Sequence, residues 1–402
     1  MSDLFWPGDE RAGDLMTQES FLCDMVRVEA AWLRALVDLK VADHEASDDL
    51  AGLVSDADVA PVALAAEGGG NPAIPLVALL RRRLQARSPA AARWLHRGLT
   101  SQDVVDTALV LGLRDAADRV QDELRRQALA LSAAAERHRD SVMAGRTLTQ
   151  HAVPITFGLK AAMWLQGVID AAEVLEAAGD FPSQFGGAAG TLAPPTLTAG
   201  TPHASVELAA NASETLRLTT RPPWHTNRAP LTRLGDALVG CTDAWGRIAN
   251  DVLTLSRPEI AELSEPAEAG RGGSSAMPQK VNPVLSVLIR RAALANPGLG
   301  AQLHLAAAEM LDERSDGSWH TEWSTLSLLA RRTVVAASQT TELLQGLTVN
   351  DQQMRATSEE ASGDLLAESG STQGDVRNYL GATGLFIDAV LDRARTRFRG
   401  TS

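Results

Sequence analysis

A chain of 402 residues exceeds one typical domain and can bury a large core, so two or three segments around one long framework are expected. A net charge of −13 leaves no evident basic face for a phosphate backbone and argues against nucleic acid as a partner. An anionic ligand would have to meet a local gathering of Arg, Lys, His and helix N-termini drawn from several segments. Cys23 and Cys241 lie far apart in helical apolar patterns, which excludes a disulfide scaffold and reads as free buried thiols in a reducing compartment. The charged N-terminus (Asp3, Asp9, Glu10, Arg11, Asp14) has no apolar run of signal length, and no stretch approaches 18 uninterrupted apolar residues. The expectation is a soluble cytoplasmic protein with no membrane partner.

In chain order, residues 102–140 come first: they contain no proline and carry Val105, Leu109, Leu113, Leu124 and Leu131, predicting a helix of roughly 58 Å. Residues 155–178 predict another. Residues 234–255 give the cleanest period, with Leu234, Leu238, Cys241, Trp245, Ile248, Val252 and Leu255 alternating at spacings of four and three. Residues 284–312 and 322–348 add two more helices, the first interrupted at Asn296-Pro297. Valine and isoleucine never gather into alternating runs bounded by turn pairs, so little sheet is expected. The fold class is all-α, a central bundle of long helices. Its expected divisions are 1–98, an N-terminal helical domain, 99–348, the bundle, and 349–402, a small C-terminal helical domain. Thr348–Asp351 offers the last break and a new N-cap. Such a bundle leaves long apolar faces to cover, which self-association would do.

Several segments carry polar chemistry. His96 and Arg97 precede Thr100 and Ser101 at the mouth of the first long helix. The two hydroxyls can cap that helix and, with its free N–H groups, can also cradle a carboxylate. Residues 145–160 read Gly-Arg-Thr-Leu-Thr-Gln-His-Ala-Val-Pro-Ile-Thr-Phe-Gly-Leu-Lys, residues 184–192 place glycine-rich backbone beside Gln184, and Pro222–Arg228 reads Pro-Pro-Trp-His-Thr-Asn-Arg. Residues 313–323 read Glu-Arg-Ser-Asp-Gly-Ser-Trp-His-Thr-Glu-Trp.

The most constraining stretch is Gly270–Pro283, Gly-Arg-Gly-Gly-Ser-Ser-Ala-Met-Pro-Gln-Lys-Val-Asn-Pro. Three glycines let the backbone approach a ligand, with the hydroxyls of Ser274 and Ser275 right behind them. Only three lysines stand against 34 arginines, and one of them, Lys280, sits here with Asn282 just before a predicted helix N-terminus. A cation and an amide at such a corner attract carboxylates. No His or Cys spacing suits a metal, and no cofactor is expected.

Gly-Ser-Ser-x-Met-Pro-x-Lys-x-Asn-Pro resembles the signature loop of the fumarase/aspartase superfamily, and the resemblance extends over nearly the whole chain. It implies that Ser274 is the acid/base beside a substrate carboxylate. It also implies that Thr100 and Ser101 hold carboxylate, and that Gln184, His225, Arg228 and Arg314 contact substrate. The resemblance further implies a homotetramer whose active sites collect residues from more than one subunit. Many of these lyases have Gly-Arg-Thr-His where this chain has Leu148, and that histidine assists proton transfer. Gln150 and His151 remain there as polar contacts, His151 being alternatively a structural group. Pro-Trp-His-x-x-Arg is similar to the bacterial 3-carboxy-cis,cis-muconate cycloisomerase subgroup. There a lactone opens by releasing a carboxylate, which needs no proton.

The implied reaction interconverts the tricarboxylate and its lactone in protocatechuate (β-ketoadipate) breakdown, with Ser274 moving the proton and Lys280 stabilising the dianionic intermediate. One alternative is an adenylosuccinate- or argininosuccinate-type lyase releasing fumarate. Trp319 and Trp323 disfavour it by standing where adenylosuccinate lyases hold nucleotide phosphate, whether the two indoles merely pack or touch substrate. Another is a non-catalytic structural oligomer of the same fold. Relatives usually carry a further helical stretch near Ser369–Arg377, and its absence leaves a short C-terminal segment.

Overall fold

Long helices carry the core, and short ones brace its ends. The computed structural model describes residues 3–268, 270–273, 276–277, 280–370 and 374–398. Its helices are α1 (Gln18–Asp38), α2 (Val59–Ala66), α3 (Ala73–Gln85), α4 (Pro89–Trp94), α5 (Ser101–Arg137), α6 (Phe157–Ala177), α7 (Ala193–Ala199), α8 (Pro202–Leu216), α9 (Ala229–Leu255), α10 (Val284–Ala308), α11 (Gly317–Gly346), α12 (Asp351–Glu360), α13 (Ser362–Leu366) and α14 (Thr383–Phe398). The fold is all-α: α5 packs on α6 and α11, α9 packs on α6, α10 and α11, and α10 also packs on α11. α1 crosses α5 and α8. Among the described residues, no helix is long and apolar enough to cross a membrane.

The period read at 234–255 becomes the buried face of α9, with Leu234, Leu238, Cys241, Trp245, Ile248 and Val252 all enclosed. A polar knot fixes the register of three helices. Trp245 Nε1 donates to Gln127 Oε1 at 2.7 Å, and Gln127 Nε2 donates to Ala337 O at 3.0 Å and to Thr341 Oγ1 at 3.2 Å. Each polar atom of the Gln127 amide thus has a partner, as a buried amide requires.

Two local expectations are corrected. α10 continues through Pro297 instead of breaking there. Proline removes one helical hydrogen bond, but packing of α10 between α9 and α11 holds the helix together, and buried Asn296 donates to Thr333 Oγ1 at 3.1 Å. Cys23 is exposed on the outer face of α1, while Cys241 is buried and its thiol is pushed up to about 12 by burial. Two small antiparallel sheets also appear: β1 (Val142–Thr147) with β2 (Gln150–Thr156), and β3 (Leu263–Ser264) with β4 (Thr348–Val349).

The β1–β2 hairpin turns on Leu148 and Thr149, at φ 47° and 75°. Such a turn is usually announced by Asn-Gly, because non-glycine residues adopt positive φ at a cost. Gly145 is needed where the strands touch, since a Cβ there would lie 2.6 Å from Val153 O.

Candidate active site

The N-terminus of α5 organises the site. Thr100 is its N-cap, and the Asp103 side chain accepts from Thr100 N at 2.9 Å. Asp103 is fully buried and does more than cap: its carboxylate accepts from Gly186 N at 2.8 Å and from Gly187 N at 3.0 Å. His225 Nε2 stands 3.5 Å from Asp103 Oδ1, closing the group. One carboxylate therefore fixes the α5 mouth and the glycine turn, with the Pro222–Arg228 segment alongside. The sequence signal for this was Asp at the third helical position after Thr-Ser, which was not singled out.

The glycines permit this closeness. A Cβ on Gly186 would meet His225 Cε1 at 2.6 Å and Pro223 Cβ at 2.8 Å. Gly98, at φ 92°, would place one 2.6 Å from Pro195 Cγ. Gly186→Ala is expected to cost about 1–3 kcal/mol of stability through overpacking and to raise KM by displacing His225. Thermal melting and steady-state kinetics check this; unchanged values in both would show that the contact yields freely.

The remaining site residues fall into three groups. The first gathers at the α5 mouth. Arg314 Nη1 donates to Thr100 Oγ1 at 2.5 Å, Ser101 opens the helix, and His96 lies just upstream on the α4–α5 connection. Gln184 is fully buried beside them, its Oε1 accepting from Trp224 N at 2.8 Å and its Nε2 lacking any hydrogen-bond partner among the described residues. His225 is also almost fully buried, and beyond its 3.5 Å approach to Asp103 its Nε2 has no hydrogen-bond partner among the described residues. Gln184 Nε2 is thus an enclosed polar nitrogen open to a ligand beside the α5 mouth, while His225 Nε2 faces Asp103.

Arg228 corrects an expectation. Read as a substrate carboxylate partner, it is instead wholly enclosed and committed to the protein's own acids. Its guanidinium donates to both Asp106 oxygens at 2.7 and 3.1 Å and to Glu322 at 2.7–3.1 Å. Burial alone would lower its pKa, but the two carboxylates outweigh that and push it up. Glu322 shows the opposite balance, its carboxyl raised by burial against the pull of Arg228. Trp319 belongs to the same knot, donating from Nε1 to Asp106 Oδ1 at 2.7 Å and meeting Trp323 edge-on. Its indole is therefore core, 2% exposed, which favours packing over direct substrate contact.

The third group stands apart from the α5 mouth. Gln150 and His151 are exposed at the tip of the β1–β2 hairpin, where Gln150 Nε2 donates to Thr149 Oγ1. Lys280 is exposed, and Asn282 uses its backbone N and its Nδ2 to bond Gly272 O at 2.8 and 3.0 Å, fastening the neck of the Gly-rich loop. Ser274 and Ser275 lie outside the described residues. The α10 N-terminus, expected to attract a ligand carboxylate, is already capped by Glu265, which accepts from Leu285 N at 3.0 Å and Ser286 N at 2.6 Å. Its free N–H groups are satisfied by the chain itself. Among the described residues, no group of His, Cys, Asp or Glu could hold a metal ion.

The sequence profile of a lyase family matches residues 21–297. A nitrosuccinate lyase from Streptomyces davaonensis is 42% identical over 362 residues, covering 88% of this chain and 76% of that protein. The chain belongs to the fumarase/aspartase superfamily of lyases. A 3-carboxy-cis,cis-muconate cycloisomerase from Pseudomonas aeruginosa is 41% identical over 314 residues, 77% of this chain and 67% of the relative. The crystal structure of 3-carboxy-cis,cis-muconate lactonizing enzyme from Pseudomonas putida superposes with a TM-score of 0.88 at 29% identity, covering 96% of this lyase and 97% of that chain.

Proposed function

We propose that this lyase interconverts 3-carboxy-cis,cis-muconate and 4-carboxymuconolactone, in active sites shared between subunits of a homotetramer. One substrate carboxylate oxygen bonds to a carbon of the double bond. The displaced electron pair moves to the carbon beside a second carboxylate, and Ser274 supplies the proton that completes the lactone. In reverse, Ser274 takes that proton and the ring oxygen leaves as a carboxylate. Lys280 and the loop backbone stabilise the dianionic intermediate; one such donor is typically worth about 10²–10³ in rate. His96, Thr100, Ser101 and Arg314 hold carboxylates at the α5 mouth, with Gln184 and His225 beside them. Lys280, Gln150 and His151 reach a site through assembly, the loop and hairpin tip of one subunit meeting the α5 mouth of another.

The observation that carries this reading is Leu148. It is 96% exposed at the hairpin tip, where related lyases use a histidine to protonate the leaving group. An apolar side chain there suits a leaving group that departs as a stable anion. The 42% identity to a nitrosuccinate lyase supports a second reading, because nitrite is also a leaving group that needs no proton. In that case nitrosuccinate would lose a proton to Ser274 and release nitrite with fumarate. Separate incubations with carboxymuconate and nitrosuccinate decide. Loss of diene absorbance without nitrite production is expected; nitrite and fumarate released from nitrosuccinate, with the diene untouched, would replace the first reading by the second.

A further inference from the structure

Glu29 is a buried carboxylate on the apolar face of α1, fully enclosed between Val28 and the Ala31-Trp32-Leu33 run. A lone charge in such a place is costly unless it is paired. Its Oε1 meets His96 Nδ1 at 2.6 Å, and its Oε2 has no hydrogen-bond partner among the described residues. His96 itself sits at φ 60°, a left-handed conformation that is uncommon for a residue with a side chain. The backbone on both sides of it is clamped: Arg81 Nη2 donates to Leu95 O at 3.0 Å, and Trp32 Nε1 donates to Arg97 O at 2.9 Å. The imidazole keeps 20% exposure, and its Nε2 has no partner among the described residues. A buried acid, a strained backbone and two clamps thus fix one ring, four residues before the N-cap of α5, with one nitrogen left to offer.

We propose that Glu29 is a positioning residue for the substrate site, accepting the hydrogen bond of His96 Nδ1–H so that the ring, when protonated at both nitrogens, presents Nε2–H to a substrate carboxylate at the α5 mouth. The role rests on the polycarboxylate reading above. The charges around the ring agree with it. Burial would lower the His96 pKa, but the charge and hydrogen bond of Glu29 outweigh that and raise it; Arg81 on α3 opposes the rise, and Asp103 on α5 adds to it. With Nδ1–H turned to Glu29, only the charged ring carries an Nε2–H to donate to a carboxylate. Because the folded-state pKa is raised, the stabilisation from this pair is full below the ordinary histidine range. It is lost as pH rises through the raised value.

Glu29→Gln keeps the shape and removes the charge. Two measurements on the full-length protein read the result: the titration of His96 by 13C-histidine NMR, its signal assigned by its absence in His96→Gln, and calorimetric binding of tricarballylate at pH 6 and at the pH of the wild-type His96 midpoint. The proposal expects the His96 midpoint to fall in Glu29→Gln. It also expects tricarballylate affinity to drop severalfold at the pH of the wild-type midpoint, as the bond to the charged ring is lost, with most of it recovered at pH 6. A midpoint that stays in place, or an affinity loss equal at both pH values alongside a lower melting temperature, overturns the positioning role. Wild-type protein that binds tricarballylate no better than Glu29→Gln at the pH of the wild-type midpoint overturns it too. Wild-type protein that binds no tricarballylate at either pH overturns the polycarboxylate reading and this role with it. Should glutamine at 29 prevent folding, His96→Gln gives the same test: affinity of the wild type should fall with rising pH, and that of the variant should not.

Discussion

Ser274→Ala is expected to lower turnover by about 10²–10⁴-fold, the range that a positioned proton donor or acceptor contributes, while the melting temperature stays within a degree or two of the wild type. The reasoning is chemical. Protonation of the carbon beside a carboxylate needs a group that can give and take a proton at that carbon, and in the proposed reaction that group is the Ser274 hydroxyl. Alanine removes that hydroxyl and leaves the groups proposed to hold carboxylate at the α5 mouth untouched. KM should therefore change little while kcat collapses, the pattern of an interaction made only in the transition state. Steady-state kinetics beside a thermal melt measures both quantities; a variant with near-normal kcat would remove Ser274 from the chemistry.

The second large effect is on stability. Arg228→Met should destabilise the protein by about 3–5 kcal/mol, the usual cost of leaving a buried charge without its partner. The guanidinium is wholly enclosed and is the one cation paired with Asp106 and Glu322 among the described residues, both of which are also buried. Its removal leaves two acids face to face, and protonating them relieves only part of the cost. Glu322→Gln should cost less, because Arg228 and Asp106 remain a paired couple. Urea unfolding of the two variants gives the order directly. An Arg228→Met protein as stable as Glu322→Gln would mean that the knot relaxes around its missing cation, and that Arg228 is free for another duty.

The helices were legible in the sequence because their signals are local. The apolar period of α9 and the proline-free run of α5 are written in consecutive residues, and burial follows from them directly. The β1–β2 hairpin was not legible, because Leu148 and Thr149 adopt positive φ without any of the residues that normally announce it. Pro297 misled for the reverse reason: a local breaker is overruled by neighbours on both sides of α10.

The site divides along the same line. Thr100, Ser101, His96 and Arg314 are named as candidates by a helix-start signal and a family motif, and the fold brings Arg314 to Thr100. Arg228 was misread because a motif names residue types but not their partners, and its partners Asp106 and Glu322 stand 122 and 94 positions away. The α10 N-terminus was misread in the same way, since Glu265, 20 residues before Leu285, already fills it. Asp103 and Glu29 were missed because each looks like an ordinary helical acid until its distant contacts are seen. Asp103 reaches Gly186 across 83 positions, and Glu29 reaches His96 across 67.

The claim at the centre of this account is that Ser274 moves one proton at the carbon adjacent to a substrate carboxylate. Turnover of carboxymuconate in deuterium oxide, with the product examined by NMR, tests it most directly. The expected product carries a single deuterium at that carbon in one stereochemical position, and Ser274→Ala protein forms none above the uncatalysed background. Product without deuterium at that carbon, or equal labelling by the Ser274→Ala variant, would contradict the account.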